Sequence, residues 1–444
     1  MSNENKQNGG RKYIVLDIVF YGGSLNYDQG TGNYQELKKI TKWDGKEYTF
    51  VSRYALRYSI LRTAEELGIW ESAPGTILEK TNEEGGKAVI QPTIDALLSG
   101  EIFKYPEFDL FGYLITSTTP QNSREAPVKI THAISLTPYN YDTHLANNLG
   151  YAKRMIESGK AEKMDPNLFI LEEHHTFYIY TILIDVDRIG KFEVYLAKEK
   201  NKDKEGKKGG GRKEEKIKDI KNENNKLVIE YENNGKKEYN IPENLNVKVE
   251  KDKEKTFIIR YSLKSDNEKR KRIIDLIKVV LNLNRSIKAR NEFLQPKLLI
   301  LGLYKGVPYQ SLKDRIVLKN EYEEIYEESV ERKNNGVRVI RRIVKLERPT
   351  FKIEGELPSD TQIEQLDEKI LNEENKKDNN AKQGQSDEKK SNEEKKVSIF
   401  EIIENFLKNE SVPKLYVFHA PEIKVILNKK LENSKKNEES SSNK

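Results

Sequence analysis

The run at 13–20, YIVLDIVF, is apolar at almost every position and stops at Gly22 and Gly23, which predicts a covered strand leading into a loop. Residues 24–48 carry Asn26, Gly30, Gly32, Asn33 and Gly45, too many turn formers for a regular element; loops of this length are commonly functional or disordered. From 52 to 68 the period becomes helical. Ser52 is a suitable N-cap, Gly68 a stop, and Leu56, Ile60, Thr63 and Leu67 fall on one face. Residues 70–170 mix Gly and Pro punctuation with short helical patterns such as 92–99, and read as an irregular subdomain. The aromatic and β-branched stretch 174–187 predicts a strand, with 191–197 pairing back onto it through the turn Arg188–Gly190. A strand at 256–263, a helix at 267–284 and a strand at 297–303 follow.

The scaffold order is thus β, α, β, β, α, β, the split βαβ plan of an α+β, ferredoxin-like or RRM-type fold, whose sheet leaves one face free for nucleic acid. Many functions share that plan, so fold class alone names none of them.

Composition changes this picture in two places. Charged residues make up 34% of the chain, but Lys, Glu and Asn concentrate at 198–255 and 365–397, which read as low-complexity insertions. Removing 200–252 is therefore expected to leave folding intact. The net charge of +6 says little about a polyanion partner, because acidic stretches mask local basic surface. The chain has no Cys, which excludes disulfides, Cys-ligated zinc and thiol catalysis and suits a reducing compartment. Abundant Lys and Glu with few Met fits a thermophile. The polar N-terminus and the lack of a membrane-length apolar run predict a soluble, cytoplasmic protein.

Candidate chemistry gathers around 24–62. Ser52 and Arg53 stand where the free N–H groups and positive dipole end of a helix favour phosphate, and Arg57 lies one turn on. Lys38, Lys39 and Lys42 in the loop add further phosphate contacts, and Tyr27, Tyr34, Tyr54 and Tyr58 offer faces for bases. The competing reading is a solvated helix flank with some tyrosines in the core.

Residues 25–30, Leu-Asn-Tyr-Asp-Gln-Gly, followed by the basic loop and Val51-Ser-Arg-Tyr-Ala-Leu-Arg57, resemble the Asn-x-Asp-x-Gly loop and Ser-start basic helix of the CRISPR-associated protein 7 family, the Cascade backbone. The similarity is to the DevR branch associated with type I-B systems. It extends through 108–114 (FDLFGYL), 126–135 (APVKITHAIS) and 291–303 (NEFLQPKLLILGL), and covers about 13–305 apart from the lysine-rich stretch. It implies an RRM-like palm with inserted fingers and a thumb hairpin, repeated along a CRISPR RNA. Asn26, Asp28 and Gly30 would shape the RNA-facing loop, while Ser52, Arg53 and Arg57 hold phosphates. Arg124, Lys129 and His132 would join them. Palm would then occupy 1–69, 171–197 and 256–305, and fingers 70–170. A thumb or peripheral segment would take 306–364, with a helix, a strand and a disordered tail in 398–444. The implied partners are crRNA, target DNA through that RNA, further copies of the chain and other Cascade subunits, with no membrane and no cofactor.

Enzyme readings are weaker. Related backbone subunits of type III systems cut target RNA with a loop aspartate, so Asp28 carries the alternative of a metal-dependent ribonuclease. The branch resembled here implies no cleavage. His132, His144, His174, His175 and His419 form no metal-ligand spacing, and His174 and His175 point to opposite faces of a strand. Gly209–Gly211 lacks the context of a phosphate loop and reads as linker; Lys269–Arg272 reads as a solvated helix face. No helix-turn-helix signal supports a transcriptional regulator.

Overall fold

In the computed structural model, which describes residues 10–81, 88–118, 120–163, 167–198, 216–252, 256–333, 336–366 and 397–429, the first apolar run becomes the strand Lys12–Gly23. Ile14, Leu16, Ile18 and Phe20 are buried, and so are Val15 and Val19 on the opposite face, as a two-sided cover requires. The chain divides into two compact units. One comprises Ile14–Ser59, Ile130–Ile182 and Leu281–Lys444; the other comprises Met1–Tyr13, Ile60–Lys129 and Leu183–Val280.

The first unit is organised by a nine-stranded sheet. Its path runs Gln362–Gln365, Leu415–His419, Leu298–Lys305, Lys12–Gly23, His175–Asp185, Ala133–Ser135, Glu47–Val51 and Lys39–Thr41, with Val128–Ile130 also paired to His175–Asp185. Ile134 lies opposite Ile179 on one side and Phe50 on the other. Val19, Ile179, Leu298, Ile300, Phe351 and Val417 pack into one core cluster. A long hairpin, Ile316–Lys333 with Gly336–Leu357, pairs from Ile316↔Ile353 out to Lys333↔Gly336. Lys424–Lys429 adds to the second of these strands in parallel.

The second unit holds two three-stranded sheets: Lys191–Ala197, Thr256–Leu263 and Leu245–Lys251, and the meander Ile217–Glu223, Lys226–Tyr231 and Lys236–Asn240. They share a core with the helices Ile94–Leu98 and Pro106–Phe111, in which Phe192 stacks on Tyr261 at 4.4 Å between centroids. The helix Asp266–Leu281 buries Ile273, Ile277 and Val280 as its period predicts.

Four expectations need correction. The stretch 198–255 is not wholly an insertion: residues 216–252 carry four strands, and Ile220, Leu227, Ile229, Ile241 and Leu245 belong to the second unit's core. In Leu245–Lys251 apolar residues alternate with polar ones, and in Lys226–Tyr231 three apolar residues stand among charges, short patterns that composition averages away. Strand 191–197 pairs with 256–263, Val194 opposite Ile259, and not with 174–187. Residues 70–170 are not one inserted subdomain, because 130–170 belongs to the first unit and Ala133–Ser135 lies inside its sheet. Residues 24–48 contain the strands Tyr34–Gln35 and Lys39–Thr41 and begin a third, Glu47–Val51. The glycine triplet 209–211 and residues 367–396 lie outside the described residues. Among the described residues no helix is long and apolar enough to cross a membrane.

Candidate nucleic-acid interface

The loop after the first strand is held by two carboxylates. Glu172, buried, accepts from Leu37 N at 2.7 Å, from the Tyr34 hydroxyl at 2.9 Å and from Lys39 Nζ at 2.7 Å. Glu173 accepts from the Ser24 hydroxyl and from Arg290 at 3.4 Å. Within the loop, Asp28 N donates to Glu36 O at 2.8 Å and Lys38 N to Asn26 O at 2.8 Å, so 26–38 folds back on itself. Gly30 sits at φ +68°, where a Cβ would come within 2.4 Å of Tyr34 O. Only glycine fits that turn without strain. A segment read as turn-rich loop is therefore a braced platform.

Asn26 is buried in this platform; its Oδ1 accepts from Arg285 at 3.4 Å, and its Nδ2 has no partner among the described residues. Asp28 is exposed and pairs with Lys38 at 3.3 Å. Lys39 is spent on Glu172 in a largely buried ion pair, which makes it a strut of the loop in place of the phosphate contact expected of it. Lys42 lies 3.7 Å from the Tyr48 ring centroid, and burial lowers its ammonium from the usual lysine value.

The helix Arg53–Glu66 begins as predicted. Ser52 Oγ accepts from Ala55 N at 3.2 Å, and Leu56, Ile60 and Thr63 are buried. Leu67 lies beyond the last turn and is exposed, so it leaves the predicted face. His132 Nδ1 accepts from Arg53 N at 2.9 Å, occupying one of the free amides of the helix start. That bond needs a neutral ring, and burial followed by the charge of Arg53 pushes the imidazole below its usual value. The exposed Arg53 side chain lies on Tyr54, 4.9 Å from the ring centroid, and Tyr54 and Tyr58 face solvent. Arg57, one turn on, is half-buried.

Two other predicted contacts belong to the second unit. Arg124 is buried, with Nη2 2.6 Å from Asp109 Oδ1 and further donations to the carbonyls of Asp109, Arg188 and Lys191. Arg272, in the stretch read as a solvated helix face, meets Asp109 Oδ2 at 2.6 Å. Gly190 N also donates to Asp109 Oδ1, at 3.0 Å. Asp109 thus binds two guanidiniums inside the fold, and Arg124 is not available to a ligand. Lys129 is exposed and pairs with Glu125 at 2.6 Å.

Sequence reasoning passed over Trp43, which is 97% exposed at the tip of the hairpin joining Lys39–Thr41 to Glu47–Val51. Asp44 fixes this turn by accepting from Lys46 N at 3.1 Å and the Tyr48 hydroxyl at 2.7 Å. The dipeptide Asp44-Gly45 was the available hairpin signal, and it would have set Trp43 at a tip. Also passed over was the hairpin of Asn284–Ile287 with Arg290–Phe293. Its Arg285 donates to Leu25 O at 2.7 Å and Ser59 Oγ at 3.1 Å, tying the loop to the helix.

The chain is a CRISPR-associated protein. It belongs to the family described as CRISPR-associated negative auto-regulator DevR/Csa2, whose model matches residues 14–326. No curated protein matches it. Among solved structures it is similar to a chain described as "CRISPR RNA-guided surveillance complex, pre-nicking", at 11% identity and TM-score 0.35, over 65% of this chain and 78% of that one. A second, described as "CRISPR RNA-guided surveillance complex", is 9% identical with TM-score 0.30, over 65% of this chain and 68% of the other.

Proposed function

We propose that this chain is a non-catalytic, RNA-coating subunit of a type I CRISPR surveillance complex. Copies of it line up along a crRNA, beside other Cascade subunits, and present the RNA for pairing with target DNA in the cytoplasm. The observation that carries this reading is the braced edge formed by 24–48 and the start of the helix. Its cations Lys42 and Arg53 rest on tyrosine rings, not on carboxylates, and Trp43 bares its indole at the hairpin tip next to Lys42 in the chain. Cations set among aromatic side chains, of which Trp43, Tyr54 and Tyr58 are exposed, suit a single strand, since phosphate contacts hold it and stacking tolerates any base. The protein would read the backbone while base pairing reads sequence.

The order Leu298–Lys305, Lys12–Gly23, His175–Asp185, Ala133–Ser135 in the large sheet supports a ferredoxin-like palm, in which the last strand lies beside the first and the first beside the third. The hairpin Ile316–Leu357 takes the part of a thumb, and the second unit that of fingers.

The test mixes purified protein with single-stranded RNA and follows tryptophan fluorescence. Trp70, the other tryptophan, is buried, so Trp43 carries the response. Quenching that titrates with RNA and weakens with salt is expected, with no cleavage in Mg2+ or Mn2+ and none changed by Asp28→Ala. Periodic RNA cleavage lost in Asp28→Ala would replace the scaffold with a nuclease, and absence of binding would overturn the RNA reading itself.

A further inference from the structure

In the first unit a cleft of about 870 Å3 opens between the loop 27–35, the paired strands Thr143–Asn147 and Leu168–Glu172, and the tip of the hairpin Asn284–Phe293. Of the side chains used below, Tyr27 alone was singled out with the basic helix start; Lys288, Phe169 and Asp142 come from other parts of the chain. The hairpin turns in two residues, Lys288 at φ 47° and Ala289 at φ 61°. Both occupy the left-handed region, where Asn and Gly are the usual choices and other residues cost about 1–2 kcal/mol each. Such strain persists only where the surroundings impose it, and it gathers at ligand clamps.

Here the surroundings are a clasp. Lys288 Nζ donates to Gln35 Oε1 at 2.9 Å, Arg290 to Ser24 O at 3.3 Å, and Glu292 accepts from Gly23 N at 3.4 Å. The tip is thereby pinned over the loop, with the Lys288 ammonium 5.6 Å from the Tyr27 ring centroid. Lys288 is exposed, and the groups it meets are a neutral amide and an aromatic ring, so its charge remains open to an anion. Arg290, by contrast, is balanced by Glu173 at 3.4 Å. The opposite wall offers Phe169, 39% exposed on a strand, and the carboxylate of Asp142.

We propose that this cleft is a nucleotide subsite. It takes one nucleotide of the bound RNA, its phosphate on Lys288 and its base against Tyr27 and Phe169. A lone phosphate would leave the aromatic faces unused, and an apolar peptide would strand the ammonium and the carboxylates without partners. A ribonucleotide satisfies all three, because its ribose hydroxyls donate to carboxylates such as Asp142. The cleft's volume lies within the range of small-ligand sites, about 300–1,000 Å3. The proposal rests on the RNA-binding reading and extends it to a second set of residues.

The experiment uses full-length protein and single-stranded RNA carrying 4-thiouridine. It reads both the peptides cross-linked on irradiation and the affinity of wild type, Lys288→Glu and Lys288→Gln. Cross-links to the peptides bearing Tyr27 or Phe169 are expected, with affinity falling about tenfold in Lys288→Glu and less in Lys288→Gln, as for loss of one charge-assisted contact. Both variants should melt as wild type does, since Lys288 is exposed. If wild type binds RNA but cross-links only elsewhere and Lys288→Glu binds as tightly, the subsite is wrong while the RNA reading stands. If Lys288→Glu instead impairs only self-association, the cleft is a protein contact and the subsite is again wrong. Wild type that binds no RNA removes both.

Discussion

Two arginines of the second unit and two of the first are used in opposite ways. In the second, Arg124 and Arg272 converge on one buried carboxylate, Asp109, and every contact is internal. In the first, Arg53 lies exposed on a tyrosine ring, and the partly buried Arg285 spends its donors on carbonyls, a hydroxyl and an amide. A buried guanidinium needs acceptors within the fold, an anion for Arg124 and Arg272 and neutral groups for Arg285, because desolvating a charge without partners costs several kcal/mol. An exposed one can wait for its anion. The difference between a structural and a binding arginine is therefore one of partner and depth, which residue type does not reveal.

The contrast breaks most severely if the second unit loses its lysine-rich strands. Five core residues at 216–252 are each worth about 1.5–3 kcal/mol of burial, comparable in sum to a whole domain's net stability of about 5–15 kcal/mol. Deleting 216–252 should abolish the cooperative transition of that unit in calorimetry or give insoluble protein. A shorter chain that melts normally would restore the insertion reading.

Asp109→Ala comes next. It leaves Arg124 and Arg272 facing each other without their anion, and breaking a buried pair in this way costs about 3–5 kcal/mol. The denaturant midpoint should fall accordingly. In the first unit Arg53→Ala should do the reverse. Its melting transition should match wild type, while RNA affinity drops for all sequences alike and the slope of log K against log salt flattens by about 0.7, the share of one phosphate on a single strand. An unchanged slope would leave Arg53 as a solvated flank.

The smallest effect concerns His132. Its imidazole is held below the usual value, so the unfolded state binds more protons and the contribution is present above the unfolded pKa of about 6.5 and lost as pH falls. Wild type should lose more stability than His132→Gln as pH is lowered through that value. Equal losses would mean that the fold does not hold the imidazole below its usual value.

Several features were legible in the chain itself. Continuous apolar stretches marked Lys12–Gly23 and Leu298–Lys305 as covered strands, and Ser52 with Gly68 bracketed the helix, because burial on two faces and helix termini each impose a local residue pattern. The family resemblance was carried by ordered segments and agrees with the family match over 14–326. Less legible was anything that depended on distant partners. The lysine-rich strands were missed because their charges outnumber the few residues that reach the core, and Ala133–Ser135 because three residues carry no periodicity.

What the chain alone determined is the set of elements and the neighbourhood, 24–57, in which basic and aromatic residues concentrate. Which of those cations is open was decided only by tertiary structure. Lys39 and Lys42 are three residues apart, yet Lys39 closes on Glu172 from across the chain while Lys42 lies over a ring. Lys288, far away in sequence, reaches the same loop. Charge neutralisation acts through space at a few ångströms and is indifferent to sequence separation, so the state of each cation was set by the fold that chose its neighbour.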